Sequence, residues 1–177
     1  VLLFHLDLAV FKGGFIGVDI FFVISGYLIT KIISKQMKTG EFSFTRFYAR
    51  RVKRIFPALF TVLFVSSFGA ILFLGPIEYG HFFKSLRMAS AQVSNFHFAQ
   101  AVDYFSIGHE NEALLHTWSL GVEEQFYLLW PLLLFFTYKF KGTNRGFIAL
   151  SAVFILSLVA SEYLVRTDMM QAFYMLH

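Results

Sequence analysis

Apolar residues run in long blocks along this chain, and polar residues gather between them. Residues 15–33 carry Asp19 as their one acid, 58–74 carry no charge, and 147–165 carry only Glu162. Each run is about the length that a helix needs to cross a hydrocarbon core of about 30 Å. A fourth run, 117–138, opens polar and turns apolar, with Pro131 inside it as an expected kink. Residues 1–10 are apolar except for His5 and Asp7, too short to span unless residues precede them, and read as the rest of a first membrane helix. Pro57 is expected to open the second spanning helix, since its missing N–H is not needed in a first turn, and Gly75-Pro76 to close it. Residues 82–98 mix apolar positions with Lys84, Arg87, Gln92, Asn95 and His97, which predicts a helix in the interface or packed on the bundle rather than a crossing. Residues 103–112 read as a polar loop. The pattern predicts an all-α, polytopic transmembrane helix bundle of about four to five membrane helices. Neither an initiator Met at Val1 nor a closing signal at His177 is present, so 1–177 reads as one partial membrane domain, truncated at both ends.

Composition supports a bilayer setting. The chain is 57% hydrophobic and 15% charged, against about 25% charged in a soluble domain. There is no cysteine, which removes disulfide and thiolate chemistry. The net charge of +4 matters through its placement. Lys31, Lys35, Lys38, Arg46, Arg50, Arg51, Lys53 and Arg54 face only Glu41, which places that connection in the cytoplasm, and Lys139, Lys141 and Arg145 do the same for a second one. No nucleic-acid footprint follows from such charges. Gly-rich phosphate loops, zinc-ligand spacings and Gly-x-Ser-x-Gly elbows are absent, so no metal is expected. Gly13, Gly14, Gly17 and Gly26 suit close helix packing in lipid.

The chemistry lies in the ionisable residues. A carboxylate near a bilayer centre costs roughly 2.5–3.5 kcal/mol on insertion scales, so such groups usually face a partner or a wet cavity. His116, Leu120, Glu123 and Tyr127 recur at three-to-four residue steps and share a helix face, whereas Glu124 lies about a hundred degrees away. Glu123 is thus the expected inward acid and His116 its partner; His116 as a cap and Glu124 at the aqueous interface remain the plainer alternatives. Asp19 is either a helix-start residue at the positive dipole end or a functional acid. For His5, an apolar setting favours the neutral imidazole, which can accept a proton from a hydroxyl, although a structural role is open too. Trp118, Tyr127 and Trp130 fit an aromatic belt or the bundle core. Arg51 and Arg54 are neighbours if their segment is helical, and guanidinium forks suit phosphate, either of a ligand or of lipid headgroups. These residues suit group transfer, a proton-coupled transporter or a scaffold.

Four blocks go further: Phe4-His5, residues 13–30 (Gly-Gly-Phe-Ile-Gly-Val-Asp-Ile-Phe-Phe-Val-Ile-Ser-Gly-Tyr-Leu-Ile-Thr), residues 47–59 around Arg50-Arg51-Val52-Lys53-Arg54, and residues 116–131. In this order they resemble the membrane acyltransferase-3 family, whose members move acyl groups, often acetyl, onto cell-surface sugars. The likeness is strongest to the branch that modifies lipopolysaccharide O-antigen and peptidoglycan. The resemblance implies a bundle of about ten helices in the bacterial inner membrane, acetyl-CoA as acyl donor, and a carbohydrate or lipid-linked glycan as acceptor. It also implies a catalytic histidine matched by His5, with an Arg that would precede Val1. The family's Arg-x-x-Arg element, linked to CoA phosphates or the active centre, matches Arg51 and Arg54, and its Val-Glu-Glu-Gln-Phe-Tyr block matches 122–127. The expected catalytic set is therefore His5, Glu123, His116 and Asp19. Residues 172–176 resemble the opening of a further block.

Overall fold

The computed structural model describes residues 16–101, 113–139 and 145–175. Helices make up its secondary structure: α1 Gly17–Lys38, α2 Phe44–Phe73, α3 Pro76–Ser90, α4 Ser94–Ala101, α5 Thr117–Lys139, α6 Arg145–Thr167 and α7 Met169–Met175. No strand occurs among the described residues, in line with the all-α expectation. Three of these helices are long and apolar enough to cross a membrane: α1, α2 and, within α6, Ile148–Thr167. At 23 residues α5 is as long as α6, but Glu123, Glu124 and Gln125 near its start dilute the apolar window.

The basic residues from Arg46 to Arg54 and the second span are one element, which corrects the expectation that Pro57 starts a helix. The α2 helix begins at Phe44, where the Ser43 side chain accepts the Arg46 N–H at 3.4 Å, and Pro57 lies inside its 30 residues. Proline withholds a donor from the carbonyl four residues back, a loss that membrane helices tolerate where neighbours and Ser/Thr side chains share the freed groups. Arg51 and Arg54 are consequently helical and on one face.

Residues 82–98 form two short helices packed on the bundle, α3 and α4. Between them Gln92 adopts φ 57°, a left-handed conformation that reverses the chain sharply. The α3 helix starts at Pro76, with Glu78 bonded back to the Gly75 N–H at 3.0 Å.

The hub is α5, which packs against α1, α3, α4, α6 and α7. Ile29, Ile33, Phe47, Tyr127 and Leu134 close a core between α1, α2 and α5. Leu59, Leu63, Phe82 and Ala89 hold α2 to α3. Phe98, Trp118 and Tyr174 join α4, α5 and α7, with Trp118 and Tyr174 edge to face at 5.4 Å between centroids. Where α5 crosses the α3–α4 turn it carries Gly121. A Cβ there would sit 3.1 Å from both the Gln92 carbonyl and Asn95 Oδ1. Beside it, Gln125 donates to Asn95 Oδ1 at 2.9 Å, which satisfies the buried Asn95. Pro131 is fully buried within α5, and Tyr48 of α2 donates to the Leu128 carbonyl at 2.9 Å. The outward faces of α1, α2 and α6 are apolar, with Val23, Phe64, Phe73 and Leu156 among their exposed side chains; such faces suit lipid or further helices.

Candidate functional site

The site forms where α1, α2 and α5 meet. From α1, Ser25 donates to Glu123 Oε1 at 2.7 Å. Tyr127, one turn after Glu123 on α5, donates to the same oxygen and also touches the Ser25 hydroxyl. Glu123 is only 8% exposed, so its carboxylate sits in an apolar wall with two hydroxyls turned toward it. From α2, Arg51 lies over the Tyr127 ring at 4.1 Å from guanidinium carbon to centroid, a cation–π stack. A cavity of about 330 Å³ opens there, lined by Ser25, Arg51, Arg54, Glu123 and Tyr127 among apolar neighbours. Neither guanidinium makes a hydrogen bond or ion pair among the described residues, where the ion pair is Arg166–Glu162 at 2.6 Å on the surface of α6.

A second cavity of about 640 Å³ shares Ser25 and Glu123 with the first. Ser25 and Glu123 line it together with Tyr27, Phe126, Trp130 and Phe154. Phe126 and Trp130 are stacked at 5.1 Å, and the Trp130 N–H donates to Thr30 Oγ1 at 2.7 Å, which fixes the aromatic wall. A third cavity, of about 530 Å³, is lined by Arg54, His116, Thr117 and Leu120. Arg54 therefore borders two cavities, and so do Ser25 and Glu123.

The expected residues meet in part. Arg51, Arg54 and Glu123 come together around one cavity. His116 lines the third cavity with Arg54 rather than the cavity that holds Glu123; it precedes the first residue of α5 and is exposed. Asp19 lies half-buried in the first turn of α1 and borders none of the three cavities. His5 lies outside the described residues, as do Asp7, Lys141 and the loop 103–112. Glu124 is half-buried, and its Oε1 has no hydrogen-bond partner among the described residues. Two groups were not expected as partners of the carboxylate. Tyr127 had the signal, sharing a helix face with Glu123. Ser25 had none, being a small residue in an apolar run. Among the described residues no group of acids and histidines could hold a metal ion.

Comparison with known proteins places the chain. A family model described as an acyltransferase domain, acyltransferase-3, matches residues 2–169. An uncharacterized protein of Haemophilus influenzae is 39% identical over 154 residues, which is 87% of this chain and 60% of that protein. The O-acetyltransferase OatA of Staphylococcus aureus is 40% identical over 164 residues, 90% of this chain and 26% of its own length. The peptidoglycan O-acetyltransferase OatA of Listeria monocytogenes is 41% identical over 140 residues, 76% of this chain and 22% of its own. No solved structure matches. The chain thus spans a little over half of the first relative and about a quarter of the others. Three bilayer-length apolar helices and a family match running over nearly the whole sequence lead to one conclusion: this is an integral membrane protein, and the chain belongs to the acyltransferase-3 family.

Proposed function

We propose that the whole protein is a membrane O-acetyltransferase, taking an acetyl group from acetyl-CoA and placing it on a hydroxyl of a cell-surface carbohydrate, in the inner membrane of a bacterium. Relatives named O-acetyltransferase support the reaction class, and the one named peptidoglycan O-acetyltransferase supports a glycan acceptor. Lipopolysaccharide O-antigen is the other acceptor in keeping with the sequence resemblance. The observation that carries the reading is the pair of guanidinium groups, Arg51 and Arg54, whose donors make no hydrogen bond among the described residues, on a cavity that also holds a buried carboxylate. Guanidinium forks bind phosphate through paired charge-assisted hydrogen bonds, and the donor carries phosphates.

In the reaction the acceptor oxygen bonds to the thioester carbonyl carbon, the C–S bond breaks, and the acceptor's proton leaves with the CoA thiol or through a base. His5 is the proposed base, Glu123 orients the acceptor hydroxyl, and Arg51 and Arg54 hold the donor phosphates. His116 and Asp19 have supporting roles, His116 through the cavity it shares with Arg54.

In the full-length protein, Arg51→Gln with Arg54→Gln is expected to weaken acetyl-CoA binding at least about tenfold, and more at low ionic strength, where charge pairing is least screened. His5→Ala is expected to abolish acetylation of surface glycan at unchanged membrane abundance. Unaltered acetyl-CoA binding in the double variant removes the donor site. Proton-coupled uptake of a solute without donor binding replaces the enzyme by a transporter.

A further inference from the structure

Hydroxyl groups within these helices have a default outlet, the carbonyl of their own preceding turn. Thr30 donates to the Gly26 carbonyl, Thr61 to Pro57 and Ser67 to Leu63, each at 2.7 Å, and Thr137 to Leu134 at 2.8 Å. Ser25 departs from this pattern. Its hydroxyl crosses to another helix and a residue 98 positions away, Glu123. A carboxylate oxygen on the neighbouring helix takes the place of the carbonyl of its own preceding turn.

The consequence falls on the carboxylate. Ser25 and Tyr127 both donate to Glu123 Oε1, while Oε2 has no partner among the described residues. Two donors on one oxygen, from two different helices, fix the side chain against rotation and leave the other oxygen for a substrate. This pinned group borders both the cavity with the two arginines and the larger aromatic one. We infer that Ser25 is a positioning residue for acyl transfer: it holds the Glu123 carboxylate that the two cavities share, so that Oε2 is presented to the hydroxyl that receives the acyl group. The inference rests on the acyltransferase reading above. It goes beyond that reading in giving Ser25 of α1 the task of setting the Glu123 carboxylate.

The test uses the full-length protein in detergent or liposomes, with acetyl-CoA as donor and a soluble glycan fragment as acceptor. Ser25→Ala should lower kcat about 10- to 100-fold, the scale of a misplaced catalytic group, while the KM for acetyl-CoA stays within about twofold. Ser25→Thr, which keeps the hydroxyl, should restore at least about a third of the rate. Ser25→Cys keeps the volume but offers a weak donor, and should fall between the two. If the alanine variant does not reach the membrane, the threonine and cysteine pair carries the comparison, since threonine keeps the hydroxyl donor at the cost of one added methyl and cysteine has only a weak donor. Wild-type rates in both Ser25→Ala and Ser25→Cys overturn the inference. So does a rise in the acetyl-CoA KM that accounts for the whole loss, because Ser25 would then act on donor binding. A wild-type protein that transfers nothing from acetyl-CoA instead overturns the acyltransferase reading, and the role of Ser25 with it.

Discussion

Two adjacent glutamates differ by the physical company they keep. Glu123 is buried with two hydroxyl donors on one oxygen, whereas Glu124 is half-buried and leaves a carboxylate oxygen unpartnered among the described residues. A buried polar atom without a partner costs about 1–3 kcal/mol. Glu123→Gln is therefore expected to lower acetyl transfer at least about tenfold, because an amide nitrogen takes the place of one of the two acceptor oxygens. Glu124→Gln should leave the rate within about threefold and the protein as stable or more so, as followed by thermal unfolding in detergent. The reverse order of effects would show that Glu124 is the acid the reaction uses. That Glu123 is the more buried of the two was readable in the sequence, since helical spacing sets its direction relative to Tyr127. Ser25 was not readable, because a serine in an apolar run is equally compatible with a bond to its own helix.

Among the elements, α5 carries the densest information. Its Glu123, Tyr127, Pro131 and Leu134 are buried at three-to-four residue steps. Gly121 and Gln125 instead meet the α3–α4 turn. The Val-Glu-Glu-Gln-Phe-Tyr block thus divides between two jobs, a carboxylate for the site and an amide that ties the hub to its neighbours. Gly121→Ala should destabilise the protein by about 1–3 kcal/mol, the usual cost of inserting a methyl into a filled space, because the Gln92 carbonyl and Asn95 must give way. Gly69→Ala in α2, where nothing lies within 4 Å of the added carbon, should be neutral or stabilising by up to about 1 kcal/mol. Equal effects of the two would mean that the Gly121 contact is not tight. The continuity of α2 was not legible in advance. Proline suits a first turn and is also tolerated inside a membrane helix, and only the Ser43 cap and the packing of Phe47 against α1 decide for the longer helix.

At the scale of the molecule, the basic residues that flank the connection between α1 and α2 predict a cytoplasmic position for it. Thr39 lies in that connection, and Ile77, 80% exposed, lies past the far end of α2. At about 1.5 Å per residue, the 30 residues of α2 reach about 45 Å, more than the roughly 30 Å of a bilayer core. The chain has no cysteine, so single cysteines can be labelled cleanly. In cells carrying the full-length protein, Ile77→Cys should react with an impermeant thiol reagent in intact cells, and Thr39→Cys only after permeabilisation. The opposite pattern would invert the orientation that the positive charges predict.

Helical class, the bilayer-length runs and the residues of the basic face follow from the sequence alone, because each depends on local composition and on a period of 3.6 residues. So does the family, since its blocks are contiguous. The tertiary structure decided which of those residues meet. It turned the Ser25 hydroxyl to a carboxylate on another helix, set Arg51 on the Tyr127 ring, and placed His116 in a different cavity from Glu123. The reason is physical: a helix face has a direction only within its own helix, and the partner it finds depends on how separate helices pack.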